Sequence, residues 1–121
     1  MLFLIQAFDI PGQGSDMEKI VIYITVGNIE EAKKIGRKLL EERLVACVNM
    51  IDGMQSMYWW HDAIQEDMEV ILIAKTTNAL AAKVINQVTA LHSYEIPCIV
   101  SLPIKDGNPA FLEWIEKEVT E

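Results

Sequence analysis

Positive charge is scarce in this chain: ten Lys and Arg stand against eighteen Asp and Glu, leaving a formal net charge of −8. Such a balance repels a phosphate backbone and excludes nucleic acid as an expected partner. The cations that exist gather in helix-like stretches such as Lys33-Lys34 and Arg37-Lys38. Cysteine is limited to Cys47 and Cys98, each set in an apolar run. There a reduced thiol packs as a small hydrophobe, so both are expected to be buried thiols rather than a disulfide. No apolar stretch approaches the roughly 18 to 20 residues that a spanning helix needs, and no membrane partner is expected. The opening Met1 to Phe8 is apolar, but it lacks a basic start and is interrupted by Gln6. It does not read as a secretory signal, and a cytoplasmic location is the expectation. A Gly-rich phosphate loop, HExxH, CxxC and Gly-x-Ser-x-Gly are all missing. Without them there is no motif for hydrolase or redox chemistry, and the chain is read as non-catalytic. Internal repeats and low-complexity segments are absent as well.

What is present is one domain's worth of core: 121 residues, 51% of them apolar. Pro11-Gly-Gln-Gly-Ser-Asp16 reads as a linker, so residues 1–16 are expected to form a flexible N-terminal extension and residues 17–121 the folded domain. Ile20 to Val26 is β-branched and nearly continuous in apolar character, which predicts a strand buried on both faces. Asn28 followed by Glu31 signals a helix start, and Ile29, Ala32, Ile35, Gly36, Leu39 and Leu40 recur at helical spacing after it. Leu44 to Ile51 is strand-like again, and Asp52-Gly53 interrupts it as a turn or bulge. Met54 to Trp60 and Met68 to Thr76 then form a long hairpin turned at His61-Asp62. Ala81, Val84, Ile85, Val88 and Leu91 mark a second amphipathic helix ending near His92. Ile96 to Ile104 is extended, with prolines that belong at strand ends or on an edge. Asn108 and Pro109 open a last helix carrying Phe111, Leu112, Ile115 and Val119. The order βαββαβα predicts an α+β fold, the ferredoxin-like split βαβ sandwich, with a long central hairpin and an extra C-terminal helix.

That layout hosts many functions, so the residues must choose among them. An acylphosphatase-like site needs an anion cradle after the first strand, where Val26 to Glu31 offers acid. RNA recognition needs aromatic and basic central strands, where Ile22 to Ile24 and Val70 to Ile73 are chiefly aliphatic. The remaining polar candidates are Cys47, Asn49, the Tyr58-Trp59-Trp60-His61 cluster, Lys75, and His92-Ser-Tyr-Glu95 with Cys98. These sit in segments that resemble the CutA family of divalent-cation tolerance proteins. Leu44-Val-Ala-Cys-Val-Asn49 looks like its second-strand motif, Ser56 to Trp60 its hairpin motif, and Ala74 to Thr77 its third-strand ending. His92 to Cys98 resembles its entry to the fourth strand, and Gly107 through Ile115 its last helix. The likeness runs from about Lys19 to the C-terminus.

The resemblance implies a homotrimer whose hairpins pair between subunits, as in PII-type signalling proteins, and binding of copper or another divalent cation. It implies intersubunit ligand clefts lined by Cys47, Asn49, Tyr58, Trp60, Lys75, His92, Tyr94 and Glu95. Where proposed copper ligands of the family are a first-strand Cys and adjacent histidines, this chain has Ile24, Leu91 and His92, leaving His92 as its metal-ligand candidate. Ser93 replaces a common Pro, and Asp62 a common Gly at the hairpin tip. Each residue also has a plainer role. Trp59 and Trp60 serve as packing anchors, Lys75 pairs with Glu69 or Glu66, His92 complements a helix C-terminus, and the hairpin methionines fill core. Two other functions stay open: a PII-like signalling or scaffold module binding a small ligand or protein, and an enzyme with acid–base chemistry at Lys75 with Glu66 or Glu95.

Overall fold

Alternation of burial from Lys19 to Ile24 along the first strand decides which side of the sheet becomes core. In the computed structural model, which describes residues 15–120, strand β1 (Lys19–Val26) buries Ile20, Ile22, Ile24 and Val26 completely. Strand β3 (Ala63–Thr77) sets Ala74, Leu72 and Val70 opposite the last three of these. Helix α1 (Ile29–Glu41) contributes Ala32, Ile35 and Leu39, and helix α2 (Ala81–Leu91) contributes Val84 and Val88, to the same cluster. Each fully buried aliphatic side chain is worth about 1.5–3 kcal/mol, so this one face carries most of the stability. The expectation that β1 is buried on both faces is corrected. On its other face Val21 and Tyr23 are only half-buried and Thr25 alone is buried, because both α1 and α2 lie on the even-numbered side.

The sheet order is β2-β3-β1-β4, antiparallel throughout, with β2 (Cys47–Trp60) and β4 (Ile99–Pro103) at the edges. This is the split βαβ arrangement that the sequence predicts. Pro103 ends β4 and Pro97 precedes it, so neither removes a bond from a central ladder. A short 3₁₀ turn, Asn78–Leu80, joins β3 to α2. The last helix, α3 (Pro109–Glu118), is capped by Asn108 Oδ1 accepting from the Ala110 N–H at 3.0 Å. It buries Ile115 and is tied to the body by Lys19–Glu116 at 2.8 Å and Arg43–Glu118 at 2.9 Å.

Local signals explain the element ends. Asn28 Oδ1 accepts from the Glu31 N–H at 2.8 Å, starting α1. Arg43 turns left-handed (φ 59°) to end it, and the Leu44 N–H reaches the Leu39 carbonyl at 3.0 Å, the Schellman closure. Gly36 permits close packing of α1 on β2, since a Cβ there would meet Val48 Cγ2 at 3.1 Å. His61 and Asp62, at φ 50° and 62°, form the two-residue hairpin turn with the left-handed pair that a type I′ turn requires.

The bulge at Asp52-Gly53 positions everything beyond it. Up to Ile51 the β2–β3 register pairs Cys47 with Lys75 and Ile51 with Ile71; from Met54 on it has slipped by one residue. Side chains alternate, so a one-residue slip exchanges the faces. Cys47, Asn49 and Ile51 therefore share the helix-free face of the sheet with Met54, Ser56, Tyr58 and Trp60. Gly53 takes the positive φ (79°) that makes the slip affordable, and the Asp52 carboxylate accepts its N–H at 2.8 Å.

Of the residues 1–16 read as an extension, only Ser15 and Asp16 lie within the described part. They are tied into the domain: Ser15 and Asp16 carbonyls accept from the Glu18 and Ala79 N–H groups at 3.1 and 3.0 Å.

Candidate functional site

The helix-free face holds two separate groups of polar residues. At one end Lys75 Nζ donates to Asn49 Oδ1 at 2.6 Å and lies 3.8 Å from Cys47 Sγ, all three being neighbours in the β2–β3 register. Lys75 pairs with neither Glu69 nor Glu66, a correction to the sequence expectation. Glu66 stands opposite Met57 near the hairpin tip, nine positions along β3 from Lys75, roughly 30 Å at about 3.3 Å per residue. An acid–base couple of Lys75 with Glu66 therefore has no geometry to support it.

The second group lines a concave cavity of about 770 Å³ between the hairpin, β1 and the loop before β4. Tyr58, Trp60, Tyr94 and Glu95, four of the residues singled out by sequence, meet there with Asp67, Glu69 and Cys98. Tyr94 Oη donates to Glu69 Oε2 at 2.8 Å, and Tyr58 Oη donates to Asp67. Tyr23 Oη contacts Met54 Sδ at 3.5 Å on the cavity floor. Burial, and then the Glu69 hydrogen bond, hold the Tyr94 phenol well above its ordinary range. The Asp67 hydrogen bond is the main cause of a smaller rise at Tyr58. Neither phenol gives up its proton near neutrality, so both act as neutral donors to carboxylates.

His92 lies behind this wall, buried, with both ring nitrogens engaged. Nε2 is 2.7 Å from the Thr25 carbonyl, and Nδ1 accepts the Tyr94 N–H at 3.1 Å. Glu31 Oε2 also approaches Nδ1, at 3.6 Å. Glu31 accepts from the Ser93 N–H at 2.9 Å and the Ser93 hydroxyl at 2.8 Å. Among the described residues no three His, Cys, Asp or Glu side chains converge as a metal cage would require. Cys98 is exposed and Cys47 half-exposed, both as free thiols, which corrects the expectation of two buried ones.

The eight sequence candidates thus divide between the Lys75 cluster, the cavity, and the shell behind it at His92. Asp67 and Glu69 were not singled out as site residues. The signal for them was alternation: Gln65, Asp67 and Glu69 are odd-numbered on a strand whose even-numbered Val70, Leu72 and Ala74 are core.

A family model described as CutA1 divalent ion tolerance protein matches residues 20–118. The chain is 45% identical over 101 residues to the divalent-cation tolerance protein CutA of Thermus thermophilus, covering 84% of this chain and 97% of that one. It is 41% identical over 102 residues to the chloroplastic protein CutA 1 of Oryza sativa, covering 84% of this chain and 58% of the rice protein's length. The crystal structure of CutA1 from Oryza sativa superposes with a TM-score of 0.84 at 40% identity, covering 86% of this chain and 95% of that one.

Proposed function

The chain belongs to the CutA1 divalent ion tolerance family, and from that membership we propose that it acts as a non-catalytic homotrimer that binds copper or another divalent cation. The observation that carries the assembly is the hairpin's outer surface. Trp59, Met57, Met68 and Ile64 are 71%, 69%, 65% and 58% exposed there, beyond the reach of either core helix. A contiguous apolar surface on a long edge strand is a liability unless another chain covers it. The non-catalytic part is supported by Lys75, which faces an amide rather than a carboxylate. Cytoplasmic residence is part of the same proposal, supported by two unpaired thiols of the kind that persist in a reducing compartment.

For copper, one subunit's described residues bring no three carboxylate, imidazole or thiol donors together, and the proposed site draws its donors from more than one subunit. His92 joins them only by releasing the Thr25 carbonyl or the Tyr94 N–H. Sedimentation equilibrium at micromolar concentration is expected to report three chains; a monodisperse monomer would overturn the assembly. Calorimetric titration with Cu(II) is expected to show modest binding that His92→Ala abolishes while the trimer persists. Unchanged binding in that variant would remove His92 from the ligand set. A second reading, a PII-like module taking a small ligand at its clefts, is favoured by the 770 Å³ cavity itself, which lies within the size range of small-molecule sites.

A further inference from the structure

The apolar surface that assembly must cover and the cavity beside the hairpin are one region. Trp59, Met57 and Met68, the most exposed large apolar residues of the hairpin, also line the cavity, together with Asp67, Glu69 and Glu95. A chain that covers the first group therefore takes water from the acids as well. Glu69 is only 8% exposed within one subunit, and the group holding its Oε2 is the neutral Tyr94 phenol. A neutral donor orients a carboxylate without cancelling its charge. Removing the remaining water opposes association unless the covering surface brings a cation.

One cation of the same face is placed to do so. Lys75 is half-buried at the other end of the helix-free surface, and its Nζ donates to the Asn49 amide oxygen at 2.6 Å, a contact that leaves its charge uncompensated. Lys19, Lys38, Arg43 and Lys117 hold acids of their own chain. The other cations of α1 and α2 belong to the layer on the far side of the sheet. Within one chain Lys75 and Glu69 stand six positions apart on β3, roughly 20 Å at about 3.3 Å per residue, too far to pair. Acid marks one end of the face and Lys75 the other. A closed ring of three identical chains is built from heterologous contacts, in which two different patches meet at every interface. Opposite charges at the two ends of one face suit such a contact.

From this arrangement we propose that the partner subunit's Lys75 enters the acidic cavity and pairs with Glu69, so that each cavity is completed by the next chain of the ring. Tyr94 orients the carboxylate from within the subunit, and the neighbouring ammonium cancels its charge. The proposal rests on the homotrimer reading and is independent of copper binding.

The test is sedimentation equilibrium of the full chain and its variants over a range of salt concentration. The parent is expected to sediment as three chains and to dissociate more readily as salt rises. Lys75→Met and Glu69→Gln should each weaken association about tenfold or more and flatten its salt dependence. Lys83→Met, the same loss of charge on α2, should leave both quantities unchanged; an effect of equal size there would mean that net charge alone is being read, and would overturn the pairing. Lys75→Glu should dissociate the ring, and Glu69→Lys added to it should restore three chains, because the exchanged charges meet again at every interface. Absence of that recovery would overturn the pairing. The two near-isosteric single changes decide the matter should a reversed chain fail to fold. A parent that sediments as a monomer would overturn assembly and pairing together. A parent trimer whose affinity and salt dependence survive both Lys75→Met and Glu69→Gln would overturn the pairing alone.

Discussion

Ser93 shows how one side chain joins two parts of the fold distant in sequence. Its N–H and hydroxyl both donate to the Glu31 carboxylate, closing the loop after α2 onto the first turn of α1. A proline at this place can make neither bond. Ser93→Ala keeps the N–H bond and loses the other, and should lower stability by about 1 kcal/mol, read from denaturant unfolding at fixed protein concentration. The two cavity tyrosines make a second residue-scale prediction. Tyr94 and Tyr58 are held above the ordinary phenol value of 10.0, so from about that pH upward the unfolded chain has lost protons that the native state retains. Stability then falls as pH rises, and the contribution of these groups is fully present below pH 10.0. Tyr94→Phe should be less stable than the parent at neutral pH, because Glu69 loses its donor. Thermal unfolding measured across the alkaline range should show that gap narrowing above pH 10.0. A gap that stays constant would mean the phenol titrates alike in both states.

Among the elements, the hairpin depends on its bulge. Tyr58 meets Asp67, and Trp60 joins the cavity, only because the register slips by one residue between Ile51 and Met54. Deleting Gly53 removes the extra residue that the bulge absorbs, so Ile51 can stay opposite Ile71 and Met54 opposite Glu69 in a continuous ladder, and Met54, Ser56, Tyr58 and Trp60 keep their face. The expected outcome is a folded protein with near-normal far- and near-ultraviolet circular dichroism and an unchanged sedimentation profile; an altered near-ultraviolet spectrum would show that the hairpin needs the bulge itself and not only its register. Gly53→Ala preserves the register and strains one residue at φ 79°. It should cost about 1 kcal/mol and leave assembly intact. Deletion and substitution at one position thereby separate the bulge itself from backbone strain.

At the scale of the whole molecule, stability divides into a one-sided core and a surface that needs covering. The core closes within the domain from Lys19 to Glu118, with the preceding Asp16 carbonyl bound by the Ala79 N–H. Removal of residues 1–14 should therefore leave the melting midpoint nearly unchanged at equal protein concentration. Extending the truncation through Asp16 breaks a bond to the start of α2's approach turn and should lower the midpoint measurably. A large loss on the shorter truncation would show that the first residues contribute structure to the assembly.

The sequence alone determined the order of elements, because each depends on local pattern and local chemistry: apolar β-branched runs in β1 and β3, helical spacing in α1 and α2, the Asn28 and Asn108 caps, and the turn at His61-Asp62. It also marked Tyr58, Trp60, Tyr94 and Glu95, whose motifs are contiguous runs. Only the tertiary structure decided which of these meet. Lys75 was free to choose Glu66, Glu69 or Asn49, and cross-strand register gave it Asn49. Glu69 and Tyr94 are 25 residues apart, Glu31 and Ser93 62 apart, and their pairing follows from how strands and helices pack. His92 reads as a ligand in a motif, yet a buried imidazole must satisfy both nitrogens, and the nearest partners were the Thr25 carbonyl and the Tyr94 N–H. Side-chain chemistry is written locally, but a charge or a proton finds its partner only across the space that packing creates.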